Sequence, residues 1–306
     1  MKTRIIQDDP AKRSASDSQP GAAVVPAEPR GLRGLIRRYP LPVFFVLAFA
    51  LTWATTPIGV FMAAGPLLAA ILVTAVVDGR RGLRELGSRV LRWRVNWRWY
   101  AAAIFIPLAA VMASGGLNVL FGAVESPVRD LEISALVLMF ALRLVVPIFS
   151  PIGEEPGWRG FALPRLLADR SPFGATLILA PIVALWHVPL IFIASEDLAP
   201  VFLLATVAVT FFYTWLFVHS GGSVLITIIA HASEGVIVRE FVGTDGWSGA
   251  DETQYAVIYT VAWCVIAIAL LVFDRQMWRS RSSATPTIHD RTVARVEQSR
   301  ASRPTA

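Results

Sequence analysis

"YPLPVFFVLAFALTWATTPIGVFMAAGPLLAAILVTAVV", residues Tyr39 to Val77, contains no charged side chain. A bilayer core of about 30 Å needs roughly 20 apolar residues in a helix, so the stretch is long enough for two short passes. Pro57 and the Gly65-Pro66 pair offer the break between them, and the spacing predicts helices over 41–58 and 60–77.

The rest of the chain repeats the pattern. Of 306 residues, 55% are hydrophobic and only 16% charged, and the mean hydropathy is +0.58, outside the usual balance of a soluble domain. Further apolar runs fall near 99–121, 133–152, 173–193, 200–218, 222–238 and 255–273. The expected fold is all-α, a polytopic membrane helical bundle of about eight transmembrane helices. The first 30 residues are polar and lack the apolar segment of a cleavable signal. Disordered tails are expected over 1–35 and 279–306, flanking one integral membrane domain over 36–278. The single cysteine, Cys264, has no partner for an intrachain disulfide.

A net charge of +6 and a pI near 10.1 do not point to nucleic acid, because the arginines lie in tails and alternate loops. Cytoplasmic loops carry the excess of positive charge. Arg30, Arg33, Arg37 and Arg38, the seven arginines from Arg80 to Arg98, then Arg159, Arg165, Arg170, Arg275, Arg279 and Arg281 all fall on one side of an eight-span chain. The opposite loops, "ESPVRDLE", "SEDLAP" and "REFVGTDGWSGADETQ", are acidic or mixed. Both termini are therefore expected in the cytoplasm, the setting being the plasma membrane of a bacterium.

Against this apolar background two histidines stand out, His187 in "APIVALWHVPLIF" and His231 in "ITIIAHASEGV". A central charge costs about 2.5–3.5 kcal/mol on the insertion scale, so an ionisable side chain inside a span marks a functional site by default. The alternative is a neutral histidine hydrogen-bonding between helices. His219, at a membrane edge, and His289, in the tail, are set aside.

Two adjacent carboxylates, Glu154 and Glu155, follow the fourth apolar run in "SPIGEEPGWRGFALPRL". Arg159, four residues after Glu155, shares its helical face in the favourable acid-before-base order, while Glu154 points about 100° away and is left for other work. The competing reading is a solvated charged helix end. Geometry favours the first only if the glutamates are sunk. A fifth helix starting near Phe173 puts His187 about 20 Å deep at 1.5 Å per residue, so the fourth span is expected to bend at Pro147, Pro151 and Pro156 and carry the glutamates into a water-accessible cavity.

Such a cavity suits hydrolysis by an activated water. Glu154 acts as general base, His187 holds the water or shuttles a proton, and His231 polarises the carbonyl being attacked. Two histidines and a glutamate also match a catalytic zinc set of His187, His231 and Glu154. The cofactor is left open, as none or a divalent metal such as zinc.

The residues resemble the CPBP intramembrane proteases, also called Abi or CAAX proteases. "EEPGWRGFALPRL" is similar to the family's EExxxR motif through Glu154, Glu155, Trp158, Arg159 and Gly160. "VALWHVPL" resembles FxxxH, with His187 in place and Val183 where the family usually has Phe. "HASEGV" resembles HxxxN, with His231 in place and Gly235 where the family has Asn. The resemblance implies that Glu154, His187 and His231 are catalytic, supported by Glu155 and Arg159. It also implies that substrates are membrane proteins or peptides cut at the bilayer. The absent Asn leaves oxyanion stabilisation to Ser233 or Glu234, and Gly235→Asn is expected to raise the rate.

The function expected is intramembrane endopeptidase activity. The alternatives are a non-catalytic membrane protein on the same scaffold, as in bacteriocin immunity or partner organisation, and a proton-linked transporter. The paired Gly/Pro-broken helices of repeat-built carriers are not evident. Arg143, in the fourth span, fits none of these uniquely and is expected to snorkel or to pair with an interior acid.

Overall fold

The computed structural model describes residues 31–124, 132–193, 201–241 and 246–280. Among them every regular element is helical. In chain order the α-helices are α1 (Leu32–Arg38), α2 (Pro40–Trp53), α3 (Gly65–Val77), α4 (Gly79–Val90), α5 (Trp97–Leu120), α6 (Ile133–Val145), α7 (Pro151–Glu155), α8 (Leu163–Leu167), α9 (Pro172–Trp186), α10 (Leu190–Ile193), α11 (Val201–His219), α12 (Val224–Phe241), α13 (Gly249–Phe273) and α14 (Arg275–Arg279). A π-helical stretch, Pro156–Ala162, joins α7 to α8.

Five of the described helical segments are long and apolar enough to cross a bilayer, namely Pro40–Ile58, Trp97–Leu120, Pro172–Phe192, Val201–His219 and Gly249–Phe273. Three shorter apolar helices, Gly65–Val77, Ile133–Val145 and Val224–Val236, complete the expected eight. Helices are the form that satisfies every backbone group where water is absent. Exposed Val46, Leu72, Phe105, Leu138, Leu185, Val261 and Val265 give the outer faces of the long helices an apolar surface, as a multi-pass membrane protein requires.

The boundaries follow local chemistry. Asn96 caps α5 by accepting from the Arg98 amide at 3.1 Å, and Ser171 caps α9 by accepting from the Gly174 amide, with Pro172 in the first turn. The Arg-rich stretch read as a loop over 78–98 instead forms α4 over Gly79–Val90. The last span begins at Gly249 rather than 255, with Asp251 and Glu252 in its first turn, where the helix dipole favours acids.

The fourth span departs most from the sequence reading. It is not one helix over 133–152: α6 stops at Val145, and a non-helical turn follows before α7 starts at Pro151. Proline cannot donate a backbone hydrogen bond and disfavours helix in the residue before it, so Pro147 and Pro151 set the break. The exposed backbone is satisfied by another element, the Ala63 amide donating to the Ile148 carbonyl at 2.8 Å. From Pro151 the chain runs through the π-turn to α8 as the second half of the same passage.

Two apolar cores form around this broken passage. One joins α5, α11 and α13 through buried Phe212, Leu216, Tyr255 and Trp263; the other joins α2, α3, α9 and the π-turn through Phe44, Trp158, Phe161, Leu179 and Trp186. α12 contributes to both, with Ile226 in the first and Val224 and Ile228 in the second. The arginine-bearing flanks meet at one end. Arg165 pairs with Asp78 at 2.6 Å, Arg89 donates to the Gly160 carbonyl, and Arg92 donates to that of Gly221. At the other end Asn118 donates to the Asp251 carbonyl and Trp247 to that of Val124. The expected tails lie outside the described residues up to Arg30 and from Arg281 onward, as does most of the sequence of the three opposite loops.

Candidate active site

The π-turn puts the motif where a regular span could not. Gly157 packs so tightly on α3 that a Cβ there would fall 2.6 Å from the Pro66 carbonyl oxygen, so only glycine permits the approach. Trp158 is fully buried in a cluster of Phe44, Phe45 and Trp186. These contacts hold the stretch rigidly, with Glu154 eleven residues from Arg165 and about 16 Å from it along a helical axis. The glutamates are therefore sunk, as the bend at the prolines predicts.

Glu155 and Arg159 form the expected ion pair, Arg159 Nη1 lying 2.9 Å from Glu155 Oε1, with their side chains 0% and 2% exposed. The same Oε1 lies 3.1 Å from His231 Nδ1. A carboxylate only accepts, so Nδ1 carries the proton in this bond, and one acid fixes both the arginine and the orientation of a histidine from α12. Arg159 also lies over the face of Tyr213, its Cζ 4.8 Å from the ring centroid. Tyr213 in turn stacks on His231, the centroids 5.5 Å apart.

Glu154, 7% exposed, faces His187 across the cavity, its Oε2 3.8 Å from His187 Nε2. His187 is the C-cap of α9, and its Nδ1 lies 2.8 Å from the Val183 carbonyl oxygen. Because a carbonyl only accepts, Nδ1 is the protonated nitrogen, and the neutral ring turns the Nε2 lone pair toward Glu154. Phe61 and Trp186 pack against the imidazole and fix its plane. Glu154, His187, His231, Arg159, Glu234 and Gly235 all line one cavity of about 220 Å³. The structure thus brings together every residue singled out from the sequence.

Their partners revise the support expected for the oxyanion. Glu234 accepts hydrogen bonds from the hydroxyls of both Tyr213 and Tyr259. Ser233 gives its hydroxyl to the Ile229 carbonyl at 2.8 Å within its own helix. Neither side chain is placed to donate into the cavity. Gly235 differs from expectation as well, since a Cβ there would fall 2.0 Å from Arg143 Nη2 and 2.5 Å from Arg143 Cζ. The expectation that Gly235→Asn alone raises the rate is therefore withdrawn: the new side chain must first displace a guanidinium. Arg143 does not snorkel away from the bundle but lies against α12.

The two tyrosines escaped the sequence reading. A signal existed, since a tyrosine within an apolar span needs a partner for its hydroxyl, and Tyr213 and Tyr259 lie in such spans. Among the described residues no group of three or more His, Cys, Asp or Glu side chains is arranged to hold a metal ion. His231 commits Nδ1 to Glu155 and His187 commits Nδ1 to Val183, so Glu154, His187 and His231 as placed do not form the compact donor set that zinc takes.

Comparison with known proteins agrees with the motifs. Residues 135–237 match the family described as "Type II CAAX prenyl endopeptidase Rce1-like", a segment running from α6 into α12. The chain is also 21% identical over 256 residues to "CAAX prenyl protease 2" of Methanococcus maripaludis, a match covering 77% of this chain and 92% of that protein. The resemblance to the CAAX protease family is thereby shown, and intramembrane endopeptidase is the general activity these matches support.

Proposed function

We propose that this chain, similar to the CAAX proteases in motif and arrangement, hydrolyses peptide bonds of membrane proteins or peptides with a water activated by Glu154. The observation that carries the reading is the facing of Glu154 Oε2 and His187 Nε2 at 3.8 Å. Both atoms are acceptors, and a water at ordinary hydrogen-bond distance, about 2.8 Å, donates to both at once.

In the step proposed, the water oxygen attacks the carbonyl carbon as one of its protons passes to Glu154, and the carbonyl π electrons move onto oxygen. Collapse of the tetrahedral species breaks the C–N bond, and the proton held by Glu154 passes to the leaving nitrogen. The products are a carboxylate and an amine. His187 orients the water. His231, held through Nδ1 by Glu155, has Nε2 left to polarise the carbonyl when that nitrogen is protonated. In this reading the arginine-bearing end of the bundle faces the cytoplasm, and the substrate enters from the bilayer.

The test is to incubate purified protein in liposomes with a membrane proteome and with a fluorogenic prenylated peptide ending in a CAAX sequence, the substrate class named for the relative. New peptide termini made by the wild type and absent with Glu154→Gln support the reading. No new terminus on any substrate favours a non-catalytic role on the same scaffold.

A further inference from the structure

The cavity holds a base, a water-orienting imidazole and a polarising imidazole, yet its permanent cation, Arg159, is tied to Glu155 and Tyr213. Oxyanion stabilisation is usually the largest single contribution to acyl transfer and requires donors already in place. Ser233 and Glu234, the polar neighbours of His231 on α12, are turned to Ile229 and to two tyrosines.

One cation reaches this turn of α12 from another helix. Arg143 is the only charged residue of α6, whose sequence is otherwise apolar but for Ser134. A charge in such a helix is costly and functional by default. Its guanidinium occupies the place where any side chain at position 235 would begin, with Nη2, Cζ and Nε 2.0, 2.5 and 3.1 Å from an ideal Cβ. Gly235 lines the cavity and lies four residues after His231, one turn along the same face. The absence of a side chain at 235 thus admits a planar cation to the turn that follows His231.

We propose that Arg143 is a catalytic residue that donates to the oxyanion formed at the scissile carbonyl, through the gap Gly235 leaves in α12. An arginine keeps its charge at every relevant pH and presents its N–H groups in a fixed fork. It therefore supplies, beside His231, a donor that does not depend on the histidine's protonation. The inference rests on the hydrolytic reading above.

The experiment compares wild type, Glu154→Gln, Arg143→Ala, Arg143→Lys and the double variant Arg143→Ala/Gly235→Asn, on the substrate the wild type cleaves best, with thermal unfolding of each in detergent. Arg143→Ala is expected to lower kcat about 100- to 1000-fold, the typical loss for one oxyanion donor, with KM and unfolding temperature near wild type. Arg143→Lys should recover part of the loss. The double variant should recover more than Arg143→Ala alone, because an asparagine amide then stands where the guanidinium stood. Wild-type kcat in Arg143→Ala, or a loss that follows unfolding temperature and is not recovered by either replacement, overturns the role of Arg143 while leaving Glu154 chemistry intact. Absence of cleavage by the wild type itself overturns both readings, and unchanged activity in Glu154→Gln overturns the hydrolytic one first.

Discussion

Glu155 Oε1 receives Arg159 Nη1 at 2.9 Å and His231 Nδ1 at 3.1 Å, so the second glutamate of the motif joins the broken fourth passage to α12. The first glutamate is left free of the arginine and faces His187. Two adjacent carboxylates thus take different tasks because the helix turns them to different neighbours.

Arg159→Ala should be destabilising. Removing one partner of a buried ion pair leaves an uncompensated charge and costs about 3–5 kcal/mol, and the cation above Tyr213 is lost with it. Thermal unfolding in detergent should show a clear drop in midpoint and in yield, whereas Glu154→Gln should unfold near the wild-type temperature. A stable Arg159→Ala would refute this division of labour.

Glu155→Gln should act through His231. The amide keeps the size of the side chain but loses the charge that orients both Arg159 and the imidazole. A fall in kcat larger than any change in KM, with Glu155→Asp recovering more than Glu155→Ala, is the expected pattern on a cleavable peptide. Equal losses in all three, tracking unfolding temperature, would reduce Glu155 to a structural role.

Sidedness follows from the arginine-bearing end. Reporter fusions after Arg92 and after Asp251, which lie at opposite ends of the bundle, should report opposite compartments, with the Arg92 fusion cytoplasmic. The same compartment for both would mean that the span count is wrong.

The membrane-edge contact between α11 and the start of α14 should weaken in acid. Partial burial pushes the Asp274 carboxyl up, but hydrogen bonds from His219 Nε2 and Trp215 Nε1 outweigh it and hold the group below its ordinary value of 3.8. A depressed acid contributes stability that is present above its unfolded pKa and lost as pH falls through the lower folded value. Wild type should therefore lose more stability than Asp274→Asn as pH is lowered through and below about 4. Parallel pH profiles for the two would remove Asp274 from the account.

Much of this arrangement was legible in the residues. Eight apolar runs stood out because a bilayer imposes a length and excludes charge, and the Glu155–Arg159 spacing gave the ion pair directly. The depth of Glu154 followed from requiring it to reach His187, which selected a bend at the prolines. Less could be read where tertiary placement decides. Nothing local in "LRLVVP" says that Arg143 crosses to Gly235, because the partner is a missing side chain on another helix. Glu234 could be seen as polar and near His231, but its commitment to Tyr213 and Tyr259 depends on how α11 and α13 pack. The extent of α4 was hidden by its arginines, which read equally as a topology signal and as one face of a surface helix.

The most direct test of the central claim is the cleavage rate of wild type against Glu154→Gln in liposomes, on a peptide taken from the new termini, with and without chelator. The account predicts that Glu154→Gln folds, binds the peptide with little change in KM and loses nearly all of kcat, and that the chelator leaves the wild type unchanged. A Glu154→Gln protein that cleaves at the wild-type rate, or a wild type silenced by chelation and restored by zinc, would contradict it.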